Sequence, residues 1–194
     1  MRRARACVGC RESGGYTLIE VATVLAIMTL LMGLSMPLFT GLRDRIELGA
    51  AADHLRSDLG EARTQALLRS RPVYVSFSRS SDGWQWCWGL SLSTSCDCTQ
   101  LDPAASGYCH VDVDAVSAQP VLRVVSHRDH PRVQLSALAF GGVLRFSPLR
   151  PETLAGNADF AAGARRARVV GSSYGRLRLC SPTGAAHLGG LPAC

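Results

Sequence analysis

The chain opens with a strongly apolar stretch that follows a short basic segment. From Tyr16 to Leu42 about 27 residues are mostly apolar, whereas residues 1–13 carry four arginines against one glutamate. At about 1.5 Å per residue, a helix of that length reaches about 40 Å, which is enough to cross a bilayer. The basic flank predicts that the N-terminus stays in the cytoplasm and that the following chain lies outside.

The helical pattern continues beyond the apolar stretch in an amphipathic form. Over residues 43–71 apolar side chains recur at helical spacing and charged side chains occupy the other faces. Pro72 marks the predicted end of the helix. We interpret Asp58, Glu61 and Arg63 as ordinary surface charges. The predicted buried positions are Leu48, Ala51, Ala52, Leu55, Leu59, Ala62, Ala66 and Leu67.

The remainder of the chain has short runs of strand-forming residues separated by glycine and proline. The segment from Ser93 to Pro120 lacks this pattern and is predicted to be a long loop. A long helix followed by strands predicts an α+β fold, in which an antiparallel-sheet domain packs on the helix. The predicted strands are Val73–Phe77, Trp84–Leu92, Val121–Ser126, Val133–Leu138, Val143–Phe146, Ala167–Val170 and Gly175–Cys180.

Charge is unevenly distributed along the chain. The formal net charge is +6, and arginine supplies every basic side chain other than histidine. Residues 121–180 hold ten arginines against three acidic residues, whereas residues 82–120 hold five acidic residues and no arginine. The basic end therefore indicates nucleic acid, anionic lipid or an acidic protein as a partner, or else a solvated basic face.

The eight cysteines form two groups. Cys7 and Cys10 precede the apolar stretch, and we interpret them as incidental cytoplasmic thiols. The later six are typical of disulfides in an oxidising compartment, and they allow 15 pairings. We favour a Cys180–Cys194 bridge because it would hold a loose tail, with the other four stapling the acidic loop. Zinc is a weaker alternative because these six show no C-x₂-C spacing. The other four are Cys87, Cys96, Cys98 and Cys109.

No residue pattern in the sequence is typical of an enzyme, a metal site or a cofactor site. A Gly-x-Ser-x-Gly turn, a paired carboxylate site and an ordered Ser, His and Asp set do not stand out. His127 and His130 have no ligand partner at metal spacing, and we interpret both as surface residues. Trp84, Trp86 and Trp88 share one face of a strand, where they form either a base-stacking platform or part of the core.

The segment from Gly15 to Glu20, with Gly14 before it and the apolar helix after it, resembles the prepilin motif of type IV pilins and type II secretion pseudopilins. The resemblance implies that a prepilin peptidase cuts between Gly15 and Tyr16 and that the new N-terminal residue is methylated. Glu20 then becomes the assembly glutamate, which pairs with the N-terminus of a neighbouring subunit. Pro37 falls where many pilins carry a helix-kinking proline.

The resemblance also implies an organisation and a location. Residues 1–15 are a cleaved leader, 16–42 a hydrophobic transmembrane and assembly helix, 43–71 its amphipathic continuation and 72–194 a β-rich periplasmic domain. The implied partners are prepilin peptidase, the bacterial inner membrane and other pilins. The mature protein then reaches the cell surface in a pilus.

Within that class the chain resembles the FimT/GspH branch of minor pilins. In FimT-type pilins a Gly-Arg-x-Arg motif is associated with DNA binding during natural transformation. Carried over, the motif makes Gly175, Arg176 and Arg178 the DNA-binding residues. The segments that support the resemblance are Glu61–Ala66, Arg71–Val73, Trp84–Gly89, Leu144–Pro148 and Gly175–Cys180.

The spacing of this motif suits a phosphate backbone. On a strand, period two places Arg176 and Arg178 on one face about 6.6 Å apart, which is of the order of the step between successive phosphates. Charge alone adds Arg165, Arg166 and Arg168 as predicted helpers. The alternatives are an edge strand kept soluble by arginine, a GspH-type pseudopilin of a type II secretion system, and a structural minor pilin that primes assembly.

Overall fold

The structure shows a long helix followed by a β-rich domain. The chain divides into two compact units, one ending at Thr40 and the other comprising Gly41–Cys194. In the first unit residues 18–33 are helical and are exposed. All buried side chains of the described residues belong to the second unit. A computed structural model describes residues 15–113, 120–149, 155–173 and 175–194.

Helix α1 comprises Leu18–Arg69, and a left-handed turn ends it. Ser70 adopts a φ of 50°, and the Arg71 N–H donates to the Ala66 carbonyl at 3.3 Å. This is the hydrogen-bond pattern of a Schellman motif, which satisfies carbonyls that the last helical turn leaves open. Pro72 follows directly, so the predicted end of the helix is confirmed.

The second half of helix α1 buries a narrow apolar stripe. The predicted positions from Leu48 to Ala66 are at most 1% exposed, whereas Leu67 is 55% exposed. The prediction for Leu67 was wrong because one residue turns the helix by about 100°, which carries its side chain away from the stripe that ends at Ala66. The stripe consists of Leu48, Ala51, Ala52, Leu55, Leu59, Ala62 and Ala66.

Ten strands follow helix α1 in the described residues. They are β1 (Val73–Arg79), β2 (Trp86–Ser91), β3 (His110–Val113), β4 (Pro120–Leu122), β5 (Val124–Ser126), β6 (Gln134–Leu138), β7 (Val143–Phe146), β8 (Gly156–Ala162), β9 (Arg165–Gly171) and β10 (Leu177–Cys180). The first sheet has the order β5-β2-β1-β7 and the second the order β10-β9-β8-β6, with all neighbours antiparallel. Strands β3 and β4 form a separate ribbon. The predicted α+β fold is confirmed.

Most strand predictions are confirmed, and the errors have physical causes. The run predicted over Val121–Ser126 divides into β4 and β5, and the predicted loop Ser93–Pro120 contains β3. Strand β8 was missed because its sequence, Gly-Asn-Ala-Asp-Phe-Ala-Ala, is poor in β-branched residues. Its neighbours β6 and β9 supply the pairing that its own composition does not predict.

Two tryptophans join the sheets to the helix. The rings of Trp86 and Trp88 are stacked with centroids 5.2 Å apart, and both meet Phe160 of β8 edge-on. Both side chains are at most 2% exposed, so the core interpretation is confirmed for them. Trp84 is 49% exposed and precedes the strand, so the prediction that all three share one strand face was wrong.

Polar contacts attach the flanks of the helix to the sheets. The Trp88 Nε1–H donates to Asp58 Oδ2 at 2.7 Å, and the Arg123 Nη2–H donates to Glu61 Oε1 at 2.6 Å. A buried indole N–H without an acceptor destabilises the fold, so Asp58 stabilises it by accepting this hydrogen bond from Trp88. The interpretation of Asp58 and Glu61 as ordinary surface charges was therefore wrong.

The cysteine-rich segment is stapled to the outer side of the first sheet. Disulfides join Cys87 to Cys98 and Cys96 to Cys109, and the buried sulfurs form a small cluster against β2. A Cβ at Gly89 would lie 2.5 Å from Cys109 Sγ, so only glycine permits this close approach. The sequence predicted that these four cysteines staple the loop, and the structure supplies the pairing that was left open.

His130 lies in the core, and its prediction as a surface residue was wrong. Its side chain is 9% exposed, its ring stacks 6.3 Å from the Trp86 ring, and the His54 ring meets it edge-on at 5.8 Å. Burial lowers the pKa of His130 below its ordinary value, and the neighbouring His54 lowers it further, against the opposing charges of Asp129 and Glu47. A buried neutral imidazole follows from this environment.

We expect Asp58→Ala to lower the free energy of unfolding by about 1–3 kcal/mol, because it leaves the buried Trp88 N–H without its acceptor. Urea unfolding followed by tryptophan fluorescence measures this loss. Asp53→Ala is the matched control, since Asp53 pairs only with exposed Arg56 on the same helix. Equal effects of the two substitutions would contradict the assigned role of Asp58.

We expect the stability of the domain to fall with acidification between pH 7 and 5, in part through His130. Its pKa is lower in the folded chain, so its contribution is complete above its unfolded pKa and is lost as pH falls through the folded value. His130→Gln removes this titration, and its unfolding free energy should therefore depend less steeply on pH. Parallel stability curves for the two proteins would refute the assignment.

Candidate nucleic-acid interface

A tight turn between β9 and β10 presents the two arginines of the Gly-Arg-x-Arg motif. The Gly175 N–H donates to the Ser172 carbonyl at 2.9 Å, and the Arg176 N–H donates to Ser172 Oγ at 3.1 Å. Gly175 adopts a φ of 77°, a region that strains other residues. The turn thus requires glycine immediately before Arg176.

Arg176 and Arg178 are exposed, and the leucines between and after them face inward. Leu177 and Leu179 pack against the core, so the backbone alternates as a strand does. Strand β10 begins at Leu177, two residues later than the predicted strand, because Gly175 belongs to the turn. The motif therefore stands at the entrance to an edge strand of the second sheet.

The outer face of the second sheet carries more arginine. Arg178 lies opposite Val170 in the register, so their side chains are on the same face of the sheet. Arg168 and Arg166 follow at two-residue intervals along β9 and therefore share that face. Arg165 alternates to the other face, where its Nη1–H donates to the His187 carbonyl at 2.8 Å. The fold thus brings two of the three predicted helpers onto the face that carries Arg178.

Internal pairing distinguishes these arginines from one another. Arg168 forms two hydrogen bonds with Asp159, at 2.7 and 2.6 Å, and these bonds raise the pKa of the guanidinium. Arg166 has a single 3.3 Å hydrogen bond to Ser136 Oγ. Within the described ranges no carboxylate pairs with Arg176 or Arg178. Among the described side chains, no carboxylate therefore competes with an external anion for these two guanidinium groups.

Two further contacts hold the turn and its strand in place. The Arg63 Nη1–H of helix α1 donates to the Gly175 carbonyl at 3.2 Å. The interpretation of Arg63 as an ordinary surface charge was therefore wrong, because this contact joins residues far apart in sequence and no local pattern predicts it. At the far end of β10 the predicted Cys180–Cys194 disulfide is confirmed, and it anchors the C-terminal tail.

Comparison with known proteins identifies the family. The sequence model of the family described as "Type II transport protein GspH" matches residues 51–175, more than half of the chain. The chain belongs to the GspH family. Among solved structures, it is similar to the type IV minor pilin FimU of Pseudomonas aeruginosa strain PAO1, with 17% identity and a TM-score of 0.43 over 74% of this chain and 98% of that one. No curated protein matches the sequence.

The GspH match covers helix α1 from Ala51 onward, strands β1 to β9 and the cysteine-rich segment. It ends at Gly175, so Arg176 and Arg178 lie just beyond the matched residues. The interpretation of the chain as a pilin-like protein of the FimT/GspH type is thereby confirmed. The role of the two arginines has to be argued from their own geometry.

The residues predicted for processing and assembly lie in the first unit of this GspH-family chain. Gly15 and Tyr16 precede helix α1 and are exposed, and exposed Glu20 lies in its first turn. The Glu20 N–H donates to the Thr17 hydroxyl oxygen at 3.4 Å, so Thr17 caps the start of the helix, a role that the sequence pattern did not predict. Pro37 lies within helix α1.

Across the described ranges, no helix combines the length and the apolar character needed to cross a membrane. In the same residues, groups of three or more His, Cys, Asp or Glu side chains arranged to hold a metal ion do not occur.

Proposed function

We propose that this GspH-family protein is a minor type IV pilin that binds extracellular DNA through Arg176 and Arg178 for DNA uptake. One observation carries the proposal: both guanidinium groups are exposed at a rigid turn and lack a carboxylate partner in the described part of the chain. Arg168, by contrast, is neutralised by Asp159. The motif arginines are therefore the ones that an incoming phosphate can pair with at least cost.

The geometry favours phosphate contacts over base reading. Arginine presents a planar fork of N–H donors that matches phosphate oxygens. An edge strand with alternating arginines meets successive phosphates without reaching into a groove, so binding is independent of sequence and sensitive to salt. Arg166 adds positive charge on the same face, whereas Gly175 is buried and contributes through the conformation of the turn.

The N-terminal segment supports a second part of the proposal. A prepilin peptidase removes the leader after Gly15, and Tyr16 becomes a methylated N-terminus. Residues 16–42 anchor the protein in the inner membrane, with the domain in the periplasm, until helix packing draws it into a pilus. The exposure of Gly15 and Tyr16 ahead of helix α1 is consistent with access by the peptidase.

A GspH-type pseudopilin of a type II secretion system is the second candidate. The match to the family described as "Type II transport protein GspH" favours this candidate. Its partners would be other pseudopilins. This candidate does not require Arg176 and Arg178 to bind DNA. A structural minor pilin that primes assembly makes the same prediction of weak DNA binding.

We expect the full chain, in a non-ionic detergent, to retard DNA of unrelated sequences equally in a gel-shift assay at low salt. Arg176→Ala with Arg178→Ala should weaken binding at least about tenfold and reduce the salt slope by about two, because two phosphate contacts are lost. Titration over several salt concentrations measures both effects.

Arg56→Ala with Arg71→Ala is the matched control for this measurement, because it removes two exposed arginines at a distance from the motif in sequence. Its DNA affinity should stay within about twofold of the unaltered protein. No retardation at low salt, or equal losses in the two double variants, would reject DNA binding by the motif. The pseudopilin and structural candidates would then stand.

We expect Glu20→Gln to reduce incorporation into filaments at least about tenfold, because it leaves the N-terminal amine of a neighbouring subunit without its partner in an apolar setting. Immunoblotting of sheared filaments and of the membrane fraction measures incorporation and processing separately. Asp53→Asn removes the same charge from the exposed side of helix α1 and should assemble normally. Normal assembly of the Glu20 variant would contradict the pairing.

A further inference from the structure

A groove lies at the end of the first sheet, outside the surface proposed for DNA. Its volume is about 450 Å³, within the range of small-molecule sites in proteins. The end of β1 at Arg79 and the start of β2 at Trp86 line it. Leu101 of the cysteine-rich segment and Arg128, in the turn after β5, line it as well.

Disulfide chemistry builds one wall of this groove. The Cys87–Cys98 bridge ties the cysteine-rich segment to β2, and both cysteines line the groove. The second bridge, Cys96–Cys109, closes the segment on itself over the same sheet. The segment that the sequence analysis treated as a stapled loop is thus a fixed part of a concave surface.

The charge of the groove has a single sign. Among the described residues that line it, Arg79 and Arg128 are the charged ones and none is acidic. Nearby carboxylates are engaged in local turns: Asp97 accepts from the Thr99 N–H at 2.9 Å, and Asp129 accepts from the Ser126 N–H at 2.8 Å. Asp82, which lies near Arg79, accepts from the Trp84 N–H at 3.1 Å. The electrostatic preference of the groove is therefore for an anion.

Hydrogen bonds constrain the guanidinium group of Arg79, whereas that of Arg128 is exposed. Arg79 donates to the Leu135 and Ser136 carbonyls at 2.6 and 2.9 Å, which fixes its guanidinium without neutralising it. Arg128 is exposed, and in the chain as described no carboxylate pairs with it. One fixed and one exposed guanidinium in the lining of the same groove suit an anionic group.

The rest of the lining is apolar. Leu101 is 53% exposed at the rim, and half-buried Val124 and the Cys87–Cys98 sulfurs lie beside it. Five hydroxyl or amide side chains also line the groove, but Ser80, Thr99 and Ser126 are already bonded within their own turns. The groove therefore offers an apolar surface and positive charge, with little free capacity to bind a purely polar ligand.

We propose that this groove binds a small organic anion in which one carboxylate or phosphate group is joined to an apolar or aromatic body. The acid pairs with Arg128 and Arg79, and the body packs on Leu101, Val124 and the disulfide. Two classes of ligand combine such an acid with such a body: a free carboxylic acid and a nucleotide. This site is independent of the DNA-binding proposal, because Arg178 belongs to the other sheet and Arg176 to the turn that precedes it.

Isothermal titration calorimetry of the full chain in a non-ionic detergent at low salt tests the proposal with two matched pairs of probes. Benzoate is compared with benzamide, and thymidine 5′-monophosphate with thymidine. The acid of at least one pair should bind at least about tenfold more tightly than its neutral partner, as expected for a charge-assisted contact. The pair that responds identifies the source.

Three variants make the test specific. Arg128→Gln should remove the advantage of the acid, and Leu101→Glu should abolish its binding by placing a carboxylate on the apolar wall. Arg71→Gln removes the same charge from the exposed residue that follows helix α1, outside both proposed surfaces, and should leave binding unchanged. Equal binding of acid and neutral probes, full binding by Arg128→Gln, or an equal loss in Arg71→Gln would each overturn the proposal.

Discussion

The domain depends on the packing of one narrow helical stripe beneath two tryptophans. Alanines at four of the seven stripe positions allow the sheets to approach the helix closely, and the stacked rings of Trp86 and Trp88 fill the space above them. Phe160 meets both rings edge-on and brings the second sheet into the same core. Because one cluster joins the helix to both sheets, a change in that stripe affects every functional surface of the domain.

The flanks of that stripe carry the interactions that set orientation. Asp58, Glu61 and Arg63 lie within two turns of the helix, and they bond to Trp88, Arg123 and the Gly175 carbonyl respectively. Each contact joins the helix to a different part of the β-domain. The Arg63 contact is the one that matters for the arginine motif, since it ties the turn before Arg176 to the rigid core.

Local chemistry explains what the sequence predicted well. The helix and its end follow from periodicity, Pro72 and a left-handed Ser70, all of which act within a few residues. Strand β8 and buried His130 depend instead on neighbours distant in sequence, and no local pattern reveals them. The pairing of Cys87, Cys96, Cys98 and Cys109 likewise follows from the sheet face that they cover. For the arginine motif, the sequence located the residues but not their pairing.

That pairing changes what the basic composition means. Ten arginines against three acidic residues in the second half of the β-domain indicate a broad positive surface, but several of these guanidinium groups are already bound. Arg168 pairs with Asp159, Arg123 with Glu61, and Arg132 with Asp44. An internal carboxylate must be displaced before such a group can pair with a phosphate, and that cost cancels most of the gain. Within the described part of the chain, Arg176 and Arg178 beside the β9–β10 turn and Arg128 beside the disulfide-built groove are exposed and pair with no carboxylate, so an external anion can pair with them without displacing one.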